Sequence, residues 1–143
     1  MNKNNTLPRL ILLLGDIIAI LLFVLIGQQD HGTTDVSNPI LGLLRSAFPF
    51  LLTWVIVAPI VRAYPAAEDI TLRALLVRGL NAWLIAAPLG LMLRAFLFER
   101  GGIPAIFMLL TLLVAGAFIL IWRALFGFVW KRRFKKQEAV PQI

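Results

Sequence analysis

Residues 72–98 form an apolar run long enough to cross a bilayer, yet the run carries Arg78 near its start and Arg94 near its end. A spanning helix needs roughly 20 mainly apolar residues. A charge held near the bilayer centre costs about 2.5–3.5 kcal/mol on insertion scales unless something answers it. Whatever fold this chain adopts must therefore provide partners, or a route to the membrane surface, for two arginines on one helix.

The rest of the chain has the same character. Hydrophobic residues make up 60% of it and charged residues 15%, against about 45–50% and about 25% in soluble domains. A water-soluble domain of 143 residues could not hide that much apolar surface, so lipid is its main solvent. Four apolar runs stand out, at 7–28, 40–63, 72–98 and 103–130, separated by QQDHGTTDVSNP, AYPAAEDI and ERGGIP. Pro39 and Pro104 fall at helix starts, where a missing N–H costs least. Ser37 or Asn38 is placed to cap the second helix, and Asp69 or Thr71 the third. The expected fold is all-α: a polytopic membrane protein with a four-transmembrane-helix bundle as a single domain over 1–130, followed by a basic cytoplasmic tail, 131–143. The third and fourth runs exceed the minimum, so tilt or projecting ends are expected. With no cysteine in the chain, disulfides, thiolate metal sites and cysteine nucleophiles are excluded.

Charge distribution sets the expected orientation. The net charge is +7, and Lys131, Arg132, Arg133, Lys135 and Lys136 follow directly on the last apolar run. A basic cluster in that position reads as an anchor on anionic lipid headgroups and not as a nucleic-acid surface. Placing both termini in the cytoplasm puts Lys3, Arg9, Arg62, Arg73 and the basic tail inside. Arg100 then lies outside, with Arg45 and Arg94 just within the outer boundary, beside a first loop that has Asp30 and Asp35 but no Lys or Arg. This is the positive-inside pattern of an N-in/C-in membrane protein. The first run is not a signal peptide, because Asp16 interrupts it and no small-residue cleavage site follows it.

Depth sorts the buried charges into two layers. At about 1.5 Å per residue, Asp16 lies roughly 10–13 Å from the inner start of the first helix. Arg78 on the third helix and Arg123 on the fourth reach about the same depth. An intramembrane ion pair of Asp16 with Arg78 or Arg123 is the economical arrangement, and we read it as a device that specifies the fold. A proton relay through Asp16 fits less well, since no second acid or histidine lies deeper in any span.

The outer layer holds Arg45 and Arg94, with no acid in the outer half of any span. Two readings fit: both side chains reach out to lipid phosphates, or together they hold an anionic ligand or headgroup. Trp83, Ala87, Gly90 and Arg94 share one face of the third helix, which adds Trp83 to the candidate site. Ala82, Ala86 and Gly90 form a small-xxx-small ladder that allows close helix approach. The face of the fourth helix expected to point inward runs through Leu112, Gly116, Ile119, Arg123 and Gly127. His31, the sole histidine, sits in the first outer loop. It is a further ligand candidate, but one histidine without a second ligand does not make a metal site. No phosphate loop, nucleophile elbow or zinc motif is present, and no cofactor is expected.

The set Gly15-Asp16, Phe23, Gly27, His31, Pro49-Phe50, Trp54, Trp83, Pro88, Gly90, Arg94 and Trp122-Arg123 resembles a prokaryotic family of small membrane proteins, the domain of unknown function DUF3054. The resemblance runs from about Leu7 to Phe128. It implies a four-helix membrane protein and singles out Asp16, His31, Trp83, Arg94 and Arg123, but it names no substrate or reaction. The function expected is therefore a non-enzymatic membrane protein that binds a lipid, a pigment or a partner protein, as a homo-oligomer or within a larger membrane complex. The alternative is an oligomeric transporter or channel for a small anionic solute, because four closely packed helices leave no pore in one copy.

Overall fold

A computed structural model describes residues 3–30, 37–98 and 105–138, and the regular structure among them is entirely helical. Helix α1 spans Lys3–Asp30, α2 Pro39–Ile60 and α3 Leu72–Leu97. The fourth helix, α4, is built of Ala105–Leu110, a π-helical turn Thr111–Ala115, and Gly116–Glu138. Each of the four contains a stretch long and apolar enough to cross a membrane, so the chain is a four-span polytopic membrane protein. Helix α1 starts ahead of residue 7 and takes in Pro8, whereas α2 stops at Ile60, short of residue 63. Helix α4 continues past residue 130 to Glu138 without a break.

Local chemistry explains the ends. Pro39 opens α2, and the Asn38 side-chain oxygen accepts the Leu41 N–H at 3.1 Å. At the start of α3 the Thr71 hydroxyl oxygen accepts the Ala74 N–H, also at 3.1 Å. Each cap satisfies one of the donors that a helix start leaves free. Asp69 instead closes a short 3₁₀ turn, Ala67–Asp69. The end of α2 is less usual. Ala63 N–H returns to Ala58 O (2.8 Å) and Arg62 N–H to Pro59 O (3.1 Å), the paired bonds of a Schellman turn. The left-handed position of that turn, usually glycine, is held by Arg62 at φ 56°.

Each helix packs on its two neighbours around a closed square, with α1 diagonal to α3. The core is small residues interleaved with two tryptophans. Ala82, Ala86 and Ala87 of α3 are completely buried, with Trp54 and Trp83 filling the centre at a ring separation of 6.0 Å. Gly90 sets the approach of α2, since a Cβ there would lie 2.8 Å from the Phe50 ring. Gly116 does the same for Trp83, at 2.9 Å. The large apolar side chains on the outer faces, such as Leu14, Val55, Leu84 and Ile121, are exposed to what would be lipid.

The Thr53 hydroxyl bonds back onto its own helix, donating to Pro49 O (3.0 Å) and Phe50 O (3.1 Å). A break in helical hydrogen bonding is repaired by a side chain, as a water-free interior requires. In the π turn of α4, where regular i→i+4 pairing lapses, the Trp83 indole N–H donates to Leu112 O at 3.0 Å. The extra residue of that turn shifts the inward seam of α4 by one position. Thr111 and Ala115 are buried on it, and Leu112 is only partly buried.

Candidate functional site

The most polar point of the bundle lies toward the end that bears the chain termini. Arg123 of α4 meets Asp16 of α1 through two hydrogen bonds, Nε to Oδ1 at 3.0 Å and Nη2 to Oδ2 at 2.6 Å, with both side chains fully buried. This fork-to-carboxylate geometry is the strongest form of such a pair. The remaining groups are also engaged. Arg123 Nη1 donates to Ala63 O (2.9 Å) and Leu75 O (3.3 Å), and the guanidinium lies 5.6 Å from the Trp54 ring and 5.4 Å from the Tyr64 ring. The Tyr64 hydroxyl donates to Asp16 Oδ2 at 3.2 Å and accepts the Trp54 indole N–H at 3.0 Å. All four helices and the α2–α3 connection thus converge on one ion pair.

Several local features make this possible. The Schellman turn at Arg62 aims Ala63 O inward and drops Tyr64 back into the bundle. Gly79 leaves room for the arginine stem, since a Cβ there would sit 2.6 Å from Arg123 Cδ. Trp122, the neighbour of Arg123, crosses α1 directly over Gly15 and donates to Leu12 O at 3.3 Å. Burial, and after it the adjacent Asp16 charge, holds the Tyr64 phenol above its ordinary ionisation range, so it stays a proton donor to the carboxylate.

Arg78, which shares the depth of this layer, does not join it. It donates from Nη1 to Arg62 O at 3.4 Å and caps the end of α2 from outside. Tyr64, Trp54 and Gly79 belong to the cluster but were not singled out from sequence for it. The one available signal was that the sole tyrosine stands immediately before Pro65 in a short connection between two spans.

At the opposite end, Arg45 and Arg94 are brought together over one ring. Their guanidinium carbons lie 5.4 and 5.7 Å from the centroid of Phe98, and Arg94 also lies 5.4 Å from Phe107. Arg94 donates to Ser46 O at 3.4 Å. Gln28 of α1 closes the same corner, donating to Ser46 Oγ (2.8 Å) and Gly42 O (3.1 Å). Arg45 is exposed and Arg94 partly so. Trp83 is not part of this group. It lies in the core, 1% exposed, with its N–H on Leu112 O. His31 lies outside the described residues. Among the described residues no group of three or more His, Cys, Asp or Glu could hold a metal ion.

Four spanning helices clamped by a buried Asp–Arg pair, with two further guanidiniums gathered at the far end, define a small polytopic α-helical membrane protein. The family model described as a protein of unknown function (DUF3054) matches residues 13–126, and the chain belongs to that family. That interval takes in Asp16, the arginine corner and Arg123. No curated protein and no solved structure matches the chain.

Proposed function

We propose that this protein is a non-catalytic membrane protein that holds an anionic lipid headgroup between Arg45 and Arg94. The observation that carries the proposal is the convergence of both guanidiniums on the Phe98 ring, which concentrates two permanent positive charges at one partly exposed corner. Guanidinium forks match phosphate geometry, and an aromatic platform helps hold their planes. The lysine and arginine distribution supports cytoplasmic termini, and with that orientation this corner faces the outer leaflet; the family resemblance supports a prokaryotic inner membrane. Trp54, Trp83 and Arg123 fill the axis of one copy, so transport would need a pore between copies, whereas binding at Arg45 and Arg94 is complete within one. It is a better fit than catalysis because Asp16, Tyr64 and Arg123 are committed to one another.

The test is lipid retention. The protein purified in mild detergent is expected to carry phosphatidylglycerol, read by native mass spectrometry, and the Arg45→Ala/Arg94→Ala double variant to lose it. An anionic lipid that stays bound to the double variant overturns the reading. A reporter fused to the C-terminus should be active only on the cytoplasmic side.

A further inference from the structure

Asn81 is the exception on an otherwise apolar exterior. It is the tenth residue of α3, about 5 Å along the axis from the middle of that helix, and therefore inside the hydrocarbon layer. Its side chain is exposed and makes no hydrogen bond to any described residue. Its surroundings on the outer stripe of α3 are Val77, Leu80, Leu84 and Ile85, all exposed. No other polar side chain among the described residues is exposed within the middle of a span. Where Thr53 meets its needs by bonding back to its own helix, Asn81 does not. Two turns further on, Pro88 is exposed on the same stripe and has no N–H to offer Leu84 O.

An amide facing hydrocarbon has no solvent to bond with, and in a membrane such a group is met by a polar group of another helix. We propose that α3 is a homodimer interface, with the Asn81 amides of two copies hydrogen-bonded to each other. Three observations select a second copy as the occupant. An amide carries both a donor and an acceptor, so it is complementary to itself. Copies inserted with one topology are related by rotation about the membrane normal, which puts the two Asn81 residues at one depth, as a two-fold interface requires. Val77, Asn81, Leu84 and Pro88 follow steps of four, three and four, the seam of a left-handed helix pair in which one polar position fixes register and partner number. Helix α3 is free to do this because the residues it buries against the bundle, among them Gly79, Ala82, Trp83, Ala86 and Gly90, lie on the opposite side.

The absence of cysteine from the chain makes the test direct. Single-cysteine variants Val77→Cys and Leu84→Cys, oxidised in native membranes, are expected to form a disulfide-linked dimer. Ile18→Cys on α1 and Ile121→Cys on α4, equally lipid-facing, are expected to remain monomeric. Adding Asn81→Leu to Val77→Cys should lower cross-linking about tenfold, and adding Asn81→Gln, which keeps an amide, should preserve most of it. The thermal midpoint of the Asn81→Leu protein should match the parent, since the side chain lies outside the packed core. Cross-linking unchanged by Asn81→Leu overturns the proposal, as does equal cross-linking from α1 and α4 or cross-linking only to a different protein.

Discussion

Asp16 and Arg123, separated by 107 positions in sequence, meet as a two-pronged ion pair from which water is excluded. Taking two charges out of water is expensive, and their attraction offsets that cost only where every remaining donor and acceptor is also satisfied. Here Ala63 O, Leu75 O and the Tyr64 hydroxyl complete the set. Removing one member should therefore do more harm than removing both. Asp16→Leu or Arg123→Met alone is expected to destabilise by about 3–5 kcal/mol, whereas the double variant should regain most of the loss. Unfolding titrations in mixed micelles, assembled into a double-mutant cycle, measure the coupling. Additive losses would mean that the two side chains do not act as a pair.

Gly79 and Gly27 make a matched contrast. A methyl at Gly79 would lie 2.6 Å from Arg123 Cδ and 2.9 Å from Nε, while one at Gly27 meets nothing within 4 Å. Gly79→Ala should lower stability by about 1–3 kcal/mol by pushing the guanidinium off Asp16. Gly27→Ala should be neutral, or stabilising by up to about 1 kcal/mol through helix propensity. The same unfolding assay separates them, and equal effects at the two sites would contradict the packing described.

How much of this was readable beforehand follows from what each signal encodes. The four spans were legible because the solvent of each run is written in its composition. The height of Asp16 and Arg123 was legible because helical rise converts position into depth. Depth carries no azimuth, however, and so could not separate Arg123 from Arg78. Helical counting gave the buried Ala82–Ala86–Gly90 ladder correctly because α3 keeps one period along that stretch. In α4 it put Leu112 on the inward face, where the side chain packs against the core but is only partly buried, because a π turn adds a residue that no composition signal announces. Tyr64 lay out of reach for another reason. It enters the core from a connection, and no periodicity reports that a connection folds back. At the far end, counting put Trp83 and Arg94 on one face of α3, but a shared face does not mean a shared height, and about 16 Å of helix separates them.

The π turn should depend on Trp83. Trp83→Phe keeps an aromatic ring but removes the donor to Leu112 O, leaving a carbonyl that regular helix pairing does not serve. A loss of about 1–3 kcal/mol is expected, the cost of an unsatisfied buried acceptor. Amide hydrogen exchange should rise locally over Thr111–Ala115. If exchange there stays at its parental rate, the indole is not what holds the turn.

Tyr64 gives a reading of the ion-pair cluster that needs no substitution, because it is the sole tyrosine of the chain. A free phenol ionises near pH 10. Burial raises the folded value first, and the neighbouring Asp16 carboxylate raises it further. The group is raised, so its contribution to stability is complete below about pH 10, the value in the unfolded chain. That contribution is lost as pH climbs through the folded value. Tyrosinate absorbance should therefore be absent from the folded protein at the pH where it is half developed in the denatured chain, and it should appear together with unfolding. Tyr64→Phe should cost about 1 kcal/mol at neutral pH, the worth of the hydrogen bonds it removes. It should also weaken the alkaline decline. A phenol that titrates near pH 10 in the folded state would place Tyr64 outside the cluster, with Asp16 answered by Arg123 alone.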